Sequence, residues 1–126
     1  MRFLEMFRDW EKMEEHDART VIFSERDPAD VMYVIISGEV ALTLHGEPLG
    51  TEKEGGIIGE MAMINSATRS ATATALNKVK LARLDHDQFK ALIADNSEFS
   101  LHVMAVLANR LRAVDQYIST QFAHIS

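Results

Sequence analysis

The stretch GGIIGEMAMINSATRSATATA, residues 55–75, holds one carboxylate and one guanidinium, Glu60 and Arg69, nine positions apart among small and apolar residues. Its glycines, Gly55, Gly56 and Gly59, permit tight turns and let a ligand approach the backbone, because no Cβ obstructs it. The run EMAMIN, residues 60–65, has room for about one and a half helical turns. The first N–H groups of such a turn lack intrahelical partners and suit an anion. Arg69 can return to the same place with a fork of donors matched to two phosphate oxygens. Ser70 adds a hydroxyl, and the alternating Ala/Thr strip that follows reads as a strand. Glu60 would repel a phosphate, so it reads as an acceptor for neutral hydroxyls such as those of a sugar. A phosphate clamp beside a ribose acceptor describes a nucleotide, and one arginine suits a singly charged phosphodiester. The GxxxxGK[ST] pattern expected of a triphosphate site is missing. The bland alternative is that Glu60 and Arg69 pair with each other and only hold a loop.

Outward from this stretch the periodicity divides the chain of 126 residues into three zones. Phe3, Met6, Phe7, Trp10 and Met13 step by three and four, which predicts a short amphipathic helix within an N-terminal helical segment, residues 1–17. Residues 18–84 change to short strands. TVIFS and VMYVII are rich in β-branched and aromatic residues, and Val40, Leu42 and Leu44 alternate with Glu39, Ala41 and Thr43. ERDPAD (residues 25–30), Ser37-Gly38 and HGEP (residues 45–48) read as turns. Strands this close leave no room for helical crossovers, so the expected fold is mainly β, a compact jelly-roll-like β-roll or a sandwich rather than a parallel sheet. Residues 85–126 turn helical. Asp85 with Gln88 forms a capping-box pattern, and Asn96 or Ser97 caps a second, long helix. In that helix Met104, Leu107, Leu111, Val114 and Ile118 form a heptad seam, which Gln121 interrupts and Ile125 resumes.

Composition narrows the classes. Apolar residues make up 47% and charged residues 25%, as in an ordinary globular chain of single-domain size. Cysteine is absent, which excludes disulfides and thiolate metal sites. A net charge of −6 argues against broad nucleic-acid binding. The longest apolar runs are too short to cross a bilayer, and the charged N-terminus has no signal-peptide core. A cytoplasmic protein with no membrane attachment is expected.

The sequence GEMAMINSATRSATATA resembles the phosphate-binding cassette, residues 58–72 here, of cyclic-nucleotide-binding domains of the catabolite activator protein and protein kinase A regulatory subunit type. VIFSERDPADVMYVIISGEVAL resembles the first half of the same family's roll, so the likeness spans most of the chain. The resemblance implies a β-roll flanked by helices, with cAMP or cGMP as ligand, no further cofactor and no catalysis. It also implies that the last helix repositions on binding. It places Glu60 on the ribose 2′-hydroxyl, Arg69 and Ser70 on the phosphate, and the backbone of Gly59, Met61 and Ala62 around it. Three residues depart from the family pattern. Thr68 stands where proline is frequent, Ile58 where an aromatic is common, and Arg26 in the place of a turn glycine, which implies a looser or different turn.

Base choice rests on less. Ser70 fits either nucleotide, and the resemblance places Val114 and Asp115 beside the base, where Asp115 would accept from adenine or guanine; cAMP is slightly favoured over cGMP. In a parallel dimer Arg110 and Asp115 would instead be g and e positions forming an interhelical salt bridge. The seam predicts a homodimer through the last helix, with Tyr117 and Phe122 flanking it, and leaves room for an unidentified protein partner. No helix-turn-helix follows the dimer helix before Ser126, so direct DNA binding is not expected. Two other classes remain: a degenerate dimerisation module that has lost its ligand, and a cupin-like metalloenzyme. The second would need clustered histidines, whereas His16, His45, His86, His102 and His124 are scattered.

Overall fold

The computed structural model describes residues 2–65 and 67–125. A 3-10 helix, Arg2–Phe7, leads into eight strands: β1 (Met13–His16), β2 (Val21–Phe23), β3 (Met32–Ser37), β4 (Val40–Leu44), β5 (Glu47–Glu52), β6 (Ile57–Ile58), β7 (Thr72–Ala75) and β8 (Val79–Leu84). A second 3-10 turn, Glu60–Met63, interrupts the strands, and helices α1 (His86–Asp95) and α2 (Ser97–Ile125) close the chain. The strands form two four-stranded sheets, ordered β1-β8-β3-β6 and β2-β7-β4-β5. Every strand pairing is antiparallel, so the mainly β roll with helices at its ends is as the strand spacing predicts.

The apolar run VMYVII has no polar alternation because β3 is covered on both faces. Met32 and Val34 join Phe7, Leu84, Phe99, Val103 and Val106 in a core between sheet and helices. Tyr33 and Ile35 face the other way, into a core between the two sheets with Phe23, Val40, Leu42, Ala73 and Leu81. This is the two-residue alternation of a strand applied to two apolar environments.

At the N-terminus the structure corrects the expected helical segment, residues 1–17. The helix ends at Phe7, and Met13–His16 is a strand paired with β8. The spacing of three and four arises because Phe7, Met6, Trp10 and Met13 pack on one core cluster around a turn. Trp10 fixes that turn by donating its indole N–H to the Arg83 carbonyl at 2.9 Å.

HGEP is also not wholly a turn. His45 and Gly46 alone carry positive φ, 52° and 80°, the two-residue geometry whose twist matches a hairpin. Pro48 lies in strand β5, which tolerates it because β5 is the sheet edge. Opposite β4 the register slips between Leu42 and Thr43, which face Gly50 and Pro48 and leave Leu49 as an extra residue.

Arg26 keeps the left-handed conformation that a glycine would take, with φ 71°. A non-glycine residue bears a cost of about 1–2 kcal/mol to hold it. The capping box at α1 is complete, with Asp85 and Gln88 exchanging bonds of 2.8 and 2.9 Å. Asn96 caps α2, its Oδ1 accepting from the Phe99 N–H at 2.8 Å.

The face of α2 that meets the roll is Phe99, Val103 and Val106. Most of the predicted seam lies elsewhere. Met104, Leu111 and Ile118 are exposed, and Leu107 is only partly covered. The side chains of Phe3, Val114, Tyr117, Gln121, Phe122 and Ile125, used in the periodicity reading, lie outside the described residues.

Candidate functional site

Glu60 and Arg69 are the two buried charged residues among those described, 1% and 7% exposed. They do not pair with each other. Gly59, with φ 74°, opens the 3-10 turn that carries Glu60 inward. A Cβ at Gly59 would stand 2.5 Å from Arg69 Nη1, so only glycine lets the arginine lie this close. Arg69 Nη1 donates to the Val31 carbonyl at 2.8 Å, and the guanidinium stacks 4.2 Å from the Phe23 ring centre.

Glu60 finds its cation on another element. Arg110 of α2 donates to Glu60 Oε1 at 2.9 Å and to the Ile57 carbonyl at 2.6 Å. Its Nη2 also lies 3.4 Å from Glu52. Within the chain this guanidinium faces the roll, whereas the alternative expected from a dimer is an interhelical pair of Arg110 with Asp115. The signal was present in the sequence: Phe99, Val103, Val106 and Arg110 step by 4, 3 and 4, and Arg110 extends the row that packs on the sheet.

Each of the two buried groups has one atom left without a partner, Glu60 Oε2 and Arg69 Nε. A buried polar atom in that state costs roughly 1–3 kcal/mol. Both residues line one cavity of about 430 Å³, a size that accommodates a small organic molecule. Gly59, Met61, Ala62, Thr68 and Ser70 line it at the charged end, and Leu42, Leu44, Leu49, Leu107 and Leu111 supply aliphatic walls. The bulge at Leu49 thus turns a residue of an edge strand into the cavity. Of the residues singled out from sequence, Gly59, Glu60, Met61, Ala62, Arg69 and Ser70 are brought together here. Asp115 is not: it is exposed and lies beyond the lining. Arg110, Leu107 and the β5 wall are the parts that sequence reasoning missed.

A larger cleft of about 510 Å³ lies on the other side of Arg69, with Lys12, Asp27, Asp30, Arg83 and Asp85 on its walls. Its other charges are of mixed sign and mostly exposed, and of the two buried groups it is lined by Arg69 without Glu60. Among the described residues no three His, Asp or Glu side chains converge as metal ligands. None of the described helices is long and apolar enough to cross a membrane.

Burial pushes the Glu60 carboxyl above its usual value, with Arg110 opposing the rise. Burial likewise draws the Arg69 guanidinium below its usual range. The raised carboxyl has a definite consequence for stability. The folded state takes up the Glu60 proton at higher pH than the unfolded chain does. The charged form therefore costs stability above the folded pKa, and that cost fades as pH falls from there to about 4.5. In urea melts over this window, wild type is expected to gain stability relative to Glu60→Gln as pH falls. Parallel curves would contradict a strained Glu60 charge.

A family profile described as cyclic nucleotide-binding domain matches residues 13–96. The CRP-like cAMP-activated global transcriptional regulator of Mycobacterium tuberculosis is 31% identical over 104 residues, covering 78% of this chain and 46% of that protein. The cAMP-dependent protein kinase regulatory subunit of Yarrowia lipolytica is 38% identical over 76 residues, covering 59% of this chain and 20% of that protein. The chain thus spans less than half the length of these relatives. The crystal structure of Thermus thermophilus catabolite activator protein superposes with a TM-score of 0.74 at 26% identity, covering 95% of this chain and 59% of that one.

Proposed function

The chain belongs to the cyclic nucleotide-binding domain family, and we propose that it is a cytoplasmic regulatory sensor whose ligand is cAMP ahead of cGMP. The observation that carries this reading is the pair of buried charged residues, Arg69 and Glu60, which line one cavity and each hold an atom without a partner. A cyclic phosphodiester gives the first its acceptor, and the ribose 2′-hydroxyl gives the second its donor. Ser70 adds a hydroxyl at the phosphate, and the backbone of Gly59, Met61 and Ala62 closes around it.

The aliphatic walls favour adenine. Guanine would carry one more exocyclic polar group, its 2-amino, into a compartment of leucines, where an unpaired polar group is costly to desolvate. The likeness to a cAMP-activated regulator and to a cAMP-dependent kinase regulatory subunit points the same way.

Capture is coupled to α2 through that helix's own residues. Leu107 and Leu111 line the cavity and Arg110 holds Glu60, so an occupant that fills the space between them favours one helix position over others. The exposed row of Met104, Leu111 and Ile118 fits a second copy of the chain, and the response would pass to a protein partner through this helix. The role is regulatory rather than catalytic.

Thermal melts with cAMP, cGMP and 5′-AMP test the reading. A ligand present at one hundred times its dissociation constant adds about 2.7 kcal/mol to the folded state. The expected order is cAMP, then cGMP, with 5′-AMP giving little. A domain that melts identically with all three is a dimerisation module without a ligand.

A further inference from the structure

We propose that Glu25 is a positioning residue that sets the spacing between the phosphate end and the base wall of the cavity. The inference rests on reading that cavity as a nucleotide site. Glu25 lies in the turn between β2 and β3, outside the cavity lining. Its carboxylate Oε1 accepts from the backbone N–H of His45 at 2.8 Å, and Oε2 lies 3.7 Å from His45 Nε2. His45 is the first residue of the hairpin turn joining β4 to β5, the two strands that present Leu42, Leu44 and Leu49.

The same turn grips the phosphate end. The Glu25 N–H donates to Thr72 Oγ1 at 3.0 Å. The Arg26 N–H donates to the Arg69 carbonyl at 2.8 Å, and the Arg69 N–H to the Asp27 carbonyl at 2.8 Å. The turn is closed on itself by Ser24 and Asp27, whose side chain and backbone exchange bonds of 3.0 and 3.1 Å. Three consecutive residues therefore form a bracket, with Arg69 and Thr72 on one arm and the hairpin on the other. The hairpin tip, residues 45–48, is exposed, so little packing holds it in place. The Glu25 carboxylate supplies that hold, and the left-handed strain at Arg26 keeps the bracket's angle.

A bracket of this kind affects the base and not the cyclic phosphate. Binding of cAMP and of a baseless 1-O-methylribose 3′,5′-cyclic phosphate should be measured by ligand-observed NMR titration, alongside thermal melts. For Glu25→Ala, cAMP affinity is expected to fall about fivefold, the worth of one hydrogen bond, while the baseless ligand binds as to wild type. Glu25→Gln is expected to restore cAMP binding, because its amide oxygen still accepts from the His45 N–H. Unchanged cAMP affinity in Glu25→Ala overturns the proposal, as does an equal loss for both ligands with a lowered melting temperature. A wild-type domain that binds neither ligand overturns the nucleotide reading, and this inference with it.

Discussion

Arg69→Leu is expected to weaken cAMP binding by at least about a hundredfold while leaving a folded domain. Two charge-assisted bonds to phosphate, at roughly 1.5–3 kcal/mol each, are lost together, and each 1.4 kcal/mol is a factor of ten. The fold should tolerate the change because the opposing effects are of similar size. The variant loses the bond to the Val31 carbonyl and the stacking on Phe23. It also removes a buried Nε that has no partner, and the leucine lies against Phe23. Titration calorimetry with a parallel thermal melt separates the two effects. Arg69→Lys, which keeps the charge without the fork, is expected to fall between the two. Calorimetry giving the wild-type affinity for Arg69→Leu would remove the phosphate assignment.

Arg110→Ala is expected to produce the largest loss of stability. It leaves Glu60, 1% exposed, without its cation, and breaking a buried ion pair from one side costs about 3–5 kcal/mol. Arg110 is itself 21% exposed and shares its charge with Glu52, which places the loss near 3 kcal/mol, the bottom of that range. The loss should shrink in acid. Without Arg110, desolvation of Glu60 loses its largest opposing influence and the pKa rises further, so protonation removes the buried charge at higher pH than in wild type. Urea melts at pH 7 and pH 5 check both statements. A deficit that is the same at both would mean that the Ile57 carbonyl bond, not the Glu60 pair, is what Arg110 provides.

The sequence made the site's two charges legible because they stand alone in an apolar segment. A carboxylate and a guanidinium with no local partners must find either a ligand or a distant residue. It also made β3, β4 and the caps of both helices legible, since each follows from spacing within a few residues. What it concealed depends on distance. Glu60 and Arg110 are fifty positions apart, and nothing near Arg110 distinguishes it from a surface charge except the row it shares with Val103 and Val106. Strand β5 was hidden by Pro48, which reads as a turn residue until the strand is known to be an edge. The β1 strand was hidden because Met13 obeys a helical spacing for reasons of packing.

The two-sided burial of β3 makes this architecture modular. Met32 and Val34 answer to the helices, while Tyr33 and Ile35 answer to the roll interior. A lineage can exchange the C-terminal helices for others by changing one set of alternate residues. The strand-built wall of the cavity on the opposite face is then kept, while the wall that Leu107, Arg110 and Leu111 supply changes with the helix.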